Sequence, residues 1–188
     1  MTSKNTDAQD WDQDLILHKA GMLHLFGEID ELTALDAVKF MFAHNLNKSL
    51  KLKHLTLVIN SQGGSLTDAF AIIDVMRHSS LPVHTLGLGN ISSAGLMIFM
   101  AGAAGHRTIT ANTTIMSHQW SGGAVGKMHE LISAQQDFEQ TTQRMMQHYH
   151  RCSGLEPDQI RQHLLPPHDV YLTAEQAVTL GIADRIQT

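Results

Sequence analysis

The chain has one cysteine in 188 residues, Cys152. This excludes an internal disulfide and points to a reducing compartment, so a cytoplasmic location is expected. Charge is sparse. Charged residues make up 16% of the chain and the formal net charge is −5, which gives a nucleic-acid role no electrostatic support. The opening thirteen residues are polar and acidic and lack the basic-then-apolar start of a signal peptide. Residues 81–105 contain no Asp, Glu, Lys or Arg. That is enough chain for a bilayer, which takes roughly 20 apolar residues. However, Pro82, His84, Asn90, two serines and five glycines interrupt it, so it reads as buried core and no membrane partner is expected. The 13 histidines include no H-E-x-x-H pattern, and Cys-x-x-Cys is absent. No metal or other cofactor is therefore expected, and most histidines are read as solvated or capping groups.

What is present has a clear order. Hydrophobic residues reach 43%, enough for one domain over 14–188 behind a flexible N-terminal segment, 1–13. "GMLHLFGEID" (21–30) reads as a strand, and 30–47 as a helix with Leu32, Leu35, Val38, Phe42 and Leu46 on one face. A strand at 52–61, a "QGGS" turn and a helix at 66–79 follow, then a strand from Val83, the serines and an apolar helix. Strand, Gly or Ser turn and helix thus occur twice, at 55–79 and 83–102. This is the pattern of an α/β fold with parallel strands and right-handed crossovers. Ligands in such sheets sit at the carboxyl ends of strands. "SQGGS" and "GNISSAG" are therefore expected side by side.

Residues 106–123 read as strand-rich. A helix over 124–152 carries a stripe of Met128, Leu131, Ile132, Phe138, Met145, Tyr149 and Cys152. At about 1.5 Å per residue it would be roughly 40 Å long, so it kinks or projects onto another subunit. The chain closes with "EPDQIRQHL", a Pro166-Pro167 break, a strand "DVYLT", a helix capped by Thr173 and Gln176, and a last strand.

Ser92 and Ser93 fall at a helix amino end, where N–H groups favour developing negative charge. Serine is also a common N-cap. Ile91 stands where a G-x-S-x-G elbow would have glycine, and Ser92 where a dinucleotide fingerprint would have its third. The residues alone leave cap and nucleophile both open.

"INSQGGSLTDAFAIIDVMR", "GLGNISSAGLMIFMAGAAGHRTITANTTIMSHQ" and "DVYLTAEQAVTLGIAD" together resemble the ClpP family of self-compartmentalising serine peptidases, from about residue 15 onward. The resemblance implies a ClpP/crotonase-like α/β fold of repeated ββα units with a long projecting handle helix, here about 124–152. It implies a serine endopeptidase acting on unfolded polypeptides or short peptides in an oligomeric chamber. Ser93 matches the nucleophile by its Ser-x-Gly relation to Gly95, His118 of "SHQ" the general base, and Asp169 of "DVYLT" the third member. Gly63, Gly64 and Ala94 match the oxyanion-hole donors, with Gly64 favoured within the glycine pair. Ser121, Gly122, Gly123 and Ala124 match the strand that pairs with an extended substrate. Partners implied are further copies of the chain, as heptameric rings stacked into a tetradecamer, and an AAA+ unfoldase.

The sequence also departs from the family pattern. Gln62 replaces the proline of the "SPGG" turn, and His168 stands where an arginine commonly precedes the catalytic aspartate. Thr56, Val58 and His78 occupy the usual aromatic positions of the unfoldase-docking grooves. Two other readings stay open: an architectural subunit of a mixed ring, and a phage-type maturation peptidase working without an unfoldase. Acyl-CoA hydratases share the wider fold but use carboxylates, so they rank last.

Overall fold

The computed structural model of the chain describes residues 13–187. The flexible segment expected at 1–13 lies outside them except for Gln13, which opens helix α1 (Gln13–Lys19). Strand β1 (Met22–Ile29), helix α2 (Glu31–Leu46), strand β2 (Leu55–Gly64), helix α3 (Leu66–His78), strand β3 (Val83–Ser92) and helix α4 (Ala94–Met100) follow. Strands β4 (Arg107–Thr110) and β5 (Thr114–Ser117) precede a long helix, α5 (Met128–Ser153). Helix α6 (Pro157–His163), strand β6 (Val170–Leu172), helix α7 (Ala174–Thr179) and strand β7 (Arg185–Gln187) come last. Strands β1, β2, β3, β4 and β7 lie side by side in that order, each parallel to its neighbour. The α/β architecture is the one expected.

Local chemistry explains the boundaries. Asp30 caps α2 by accepting from the Thr33 N–H at 2.8 Å, and Ser65 caps α3 from Asp68 at 3.3 Å. Thr173 and Gln176 exchange bonds at 3.2 and 2.9 Å at the start of α7, as the capping-box spacing predicts. In β2 the alternate residues Leu55, Leu57 and Ile59 are fully buried in the core with Ile72 and Ile73 of α3. Arg107 binds Asp184 through a 2.6 Å ion pair and donates to the Cys152 carbonyl at 2.7 Å. One guanidinium thus holds the β4 end, the β7 approach and the last turn of α5 together.

The sheet divides at β3. Its first half, Thr85–Gly87, pairs with β4, while its second half, Asn90–Ser92, pairs in parallel with β5. The turn between them uses Gly89 at φ +67°, and the Asn60 side chain accepts the Asn90 N–H at 3.0 Å. Strand β5 then pairs with β6 on its other side, antiparallel.

The apolar face expected on α2 is not the one the single chain buries, and one helix boundary needs correction. On α2 the structure buries Ala34, Ala37, Phe40, Met41 and His44 and leaves Leu32, Leu35, Phe42 and Leu46 exposed. The helix is apolar on both sides, and the small Ala34 and Ala37 permit the closer approach to the core. Helix α5 begins at Met128 rather than 124, because the glycine-rich 121–126 does not propagate a helix and the Lys127 N–H is capped by Glu130 at 2.7 Å. Its 26 residues span about 39 Å, and only Thr141, Met145, His148 and Tyr149 are buried. The stripe's first members, Met128, Leu131 and Ile132, are exposed.

The histidines are not all solvated either. His54, His84 and His106 stack face to face at 4.1 and 3.9 Å between ring centroids. Partial burial, with the nearby His54, His106 and Arg185 charges, lowers the central His84 to about 4. His148 is 2% exposed; its Nε2–H donates to the Met97 carbonyl at 2.9 Å and its Nδ1 accepts from Arg77 at 2.7 Å. Burial first, and the Arg77 charge second, push it from 6.5 down to about 4. The folded state then holds fewer protons than the unfolded chain between those values, so its stability falls as pH drops through that window. In urea unfolding at fixed protein concentration, His148→Gln should lose roughly 2 kcal/mol less than the wild type between about pH 7 and pH 4.5, the shift at His84 being common to both proteins. Equal losses in the two proteins would remove His148 as the cause.

Candidate active site

Strand register brings the predicted residues together. Ser92 of β3 pairs with Met116 of β5, and the Ser93 N–H donates to the Met116 carbonyl at 3.0 Å. The residues leaving both strands, Ser93 and His118, therefore emerge side by side. On the far side of β5, Ser117 pairs with Val170, which places His118 opposite Asp169. His118 Nε2 lies 2.7 Å from Ser93 Oγ, and His118 Nδ1 lies 3.9 Å from Asp169 Oδ1. The first distance is a hydrogen bond; the second is beyond one. Asp169 is exposed, with 56% of its side chain accessible.

Ser93 stands at the N-cap position of α4, but its side chain does not cap the helix. It sits at φ 54°, ψ −124°, makes no side-chain cap bond, and directs its hydroxyl to His118. That conformation favours glycine, so the backbone holds the serine under strain. The neighbouring Ser92 instead donates to Asn90 Oδ1 at 2.5 Å and is buried.

The glycine turn lies against the nucleophile. Gly63 is at φ +103°, and a Cβ there would stand 2.6 Å from Ser93 Cβ. Gly64, at φ +150°, packs against the Ile29 backbone. Gly63 already donates its N–H to Ser61 Oγ at 3.0 Å, which favours Gly64 as the donor facing a substrate. Ala94, fully buried, opens α4 directly after Ser93. A cavity of about 290 Å³ adjoins Ser93 and His118, with Leu66, Met97, Trp120 and Met145 in its wall. Ser121 also lines it. Ser121, Gly122, Gly123 and Ala124 are all exposed and have no strand partner, so the strand-rich reading of 106–123 holds for β4 and β5 but stops at Ser117.

A family model described as Clp protease matches residues 5–188. The chain belongs to the Clp protease family. Membership supports peptidase activity for a Clp protease fold whose parallel-rich sheet and seven α-helices are described above. Among the described residues no three His, Cys, Asp or Glu side chains converge as metal ligands, and no helix is long and apolar enough to cross a membrane. Of the positions matched to Clp unfoldase docking, Thr56 is half-buried, Val58 is 5% exposed and His78 is exposed, donating to the Asp74 carbonyl at 2.7 Å. Thr56 pairs in register with His84 of the histidine stack.

Sequence reasoning passed over Trp120, one of only two tryptophans, two residues beyond His118. Its indole donates to Thr142 Oγ1 at 2.9 Å and packs on Phe138, tying the loop after the histidine to α5. A bulky side chain in an otherwise glycine-rich run was the available signal.

The strain at Ser93 gives a direct test. Both Ser93→Ala and Ser93→Gly remove the hydroxyl, and glycine ordinarily destabilises. Here Ser93→Gly should be the more stable of the two by about 1 kcal/mol in denaturant melts. The ordinary order would mean that Ser93 is relaxed in solution.

Proposed function

We propose that the protein is a serine endopeptidase working through Ser93, His118 and Asp169. The 2.7 Å bond between Ser93 Oγ and His118 Nε2, made by a serine in a glycine-type conformation, carries the reading. Ser93 Oγ attacks the scissile carbonyl carbon as His118 Nε2 takes its proton. The negative oxygen so formed accepts from the Gly64 and Ala94 N–H groups. Collapse breaks the C–N bond, and His118 returns the proton to the departing amine. Water then hydrolyses the acyl-serine by the same route. Asp169 sets the tautomer that leaves Nε2 free to accept, a role that requires the 3.9 Å gap to close when substrate is bound. The exposed 121–124 segment offers its backbone to an extended peptide, which would complete the missing ladder.

Assembly fits the same reading. Leu32, Leu35, Phe42 and Leu46 on α2, with Met128, Leu131 and Ile132 on α5, are apolar side chains left in water by the single chain. We assign both faces to contacts between copies in stacked rings, in a cytoplasmic setting. Unfoldase coupling through Thr56, Val58 and His78 would lack the aromatic anchors of the usual groove. A second reading, the architectural subunit, draws on the open His118–Asp169 distance.

Intact mass after fluorophosphonate treatment separates the two. The peptidase reading requires one adduct on the wild type and none on Ser93→Ala. Asp169→Asn should slow labelling by a factor on the order of 10⁴. An assembled wild-type protein that takes up no adduct would favour the architectural subunit. In light scattering, Phe42→Glu should lower the particle mass; an unchanged mass would exclude the α2 face from assembly.

A further inference from the structure

The cavity beside Ser93 does not end in solid core. A second cavity of about 160 Å³ lies behind it, lined by Gln119, Thr142, Met146, Arg161 and Leu165. Trp120 and Met145 line both, so these two side chains form the wall between them. A third space, about 460 Å³ and walled in part by Phe138 and Gln135, shares Thr142, Met146 and Arg161 with the second. The three spaces are thus linked in series by shared lining residues, and the link nearest the nucleophile is made by Trp120 and Met145.

The two halves of that wall differ in kind. Met145 is 4% exposed and part of the hydrophobic core. Trp120 comes from the loop after His118, is only partly buried against the edge of that core, and is tied down by a hydrogen bond to Thr142 and a tilted ring contact to Phe138, at 5.1 Å. Its other neighbour is Gly122: a Cβ there would run into the indole ring. The side chain that bounds the cavity is therefore packed on the segment expected to carry the substrate backbone.

We propose, resting on the peptidase reading, that Trp120 is the specificity-determining residue of this site. It sets the depth available to the side chain on the acyl side of the scissile bond and excludes large aromatic side chains from the space behind. Removing the indole joins the two cavities and admits them.

The test uses the full-length protein on peptides that differ only at that residue, Ala against Phe, Tyr and Trp, with Ser93→Ala as the control. Trp120→Ala should raise kcat/KM for the aromatic peptides relative to the Ala peptide about tenfold, mainly through KM. Trp120→Phe, which keeps a ring in the opening, should shift the ratio less. Gly122→Ala, which displaces the indole without removing it, should shift it in the same direction. It keeps the question open to refutation should Trp120→Ala not fold. Folded variants with wild-type ratios would overturn the role of Trp120 while leaving the peptidase reading intact. A wild type with no Ser93-dependent cleavage would overturn both.

Discussion

Everything at the site depends on the pairing of one four-residue strand. Strand β5 takes a parallel partner on one edge and an antiparallel partner on the other. Those two ladders bring His118 onto Ser93 and hold Asp169 at 3.9 Å from its other side, although 25 and 51 residues of chain separate them. A slip of one residue in either ladder would turn the side chains of β5 to the opposite face and break the constellation. The supports of β5 therefore also hold the candidate site. Tyr149 hydrogen-bonds Ser117 at 2.9 Å, and Ser117 donates to the Leu164 carbonyl at 2.7 Å, both fully buried. Burial holds that phenol up near 12, so it stays a neutral donor across the working range of the protein.

Backbone conformation supplies the second constraint. The serine adopts a geometry suited to glycine, and the real glycine beside it, Gly63, leaves the space that a methyl group would close. Strain in one residue and the missing side chain of another fit together. Core packing around α4, whose seven residues are all buried, holds the arrangement in place.

The fold was legible because its signals were local and repeated. Gly and Ser turns punctuated β2 and β3, and Asp30, Ser65 and Thr173 marked helix starts. The candidate site residues came from the resemblance, since spacing alone cannot tell a capping serine from a nucleophile. What stayed hidden was tertiary. Helix α2 is apolar on two faces, and only packing against the sheet selects the alanine side. Histidine has no periodic signature, so nothing in the sequence distinguished the buried His148 from the exposed His129. Trp120 stood out only as a bulky residue in a glycine-rich run; that it lines two neighbouring spaces is a product of packing.

The column of His54, His84 and His106 has a consequence outside stability and catalysis. The middle ring is nearly parallel to both neighbours, at interplanar angles of 8° and 2°. Its carbon-bound protons therefore sit in the shielding cones of two imidazoles at once. In a nuclear magnetic resonance spectrum of a chain with 13 histidines, one imidazole signal stands upfield of the rest. That resonance reports on the spacing of β2, β3 and β4 without any introduced label.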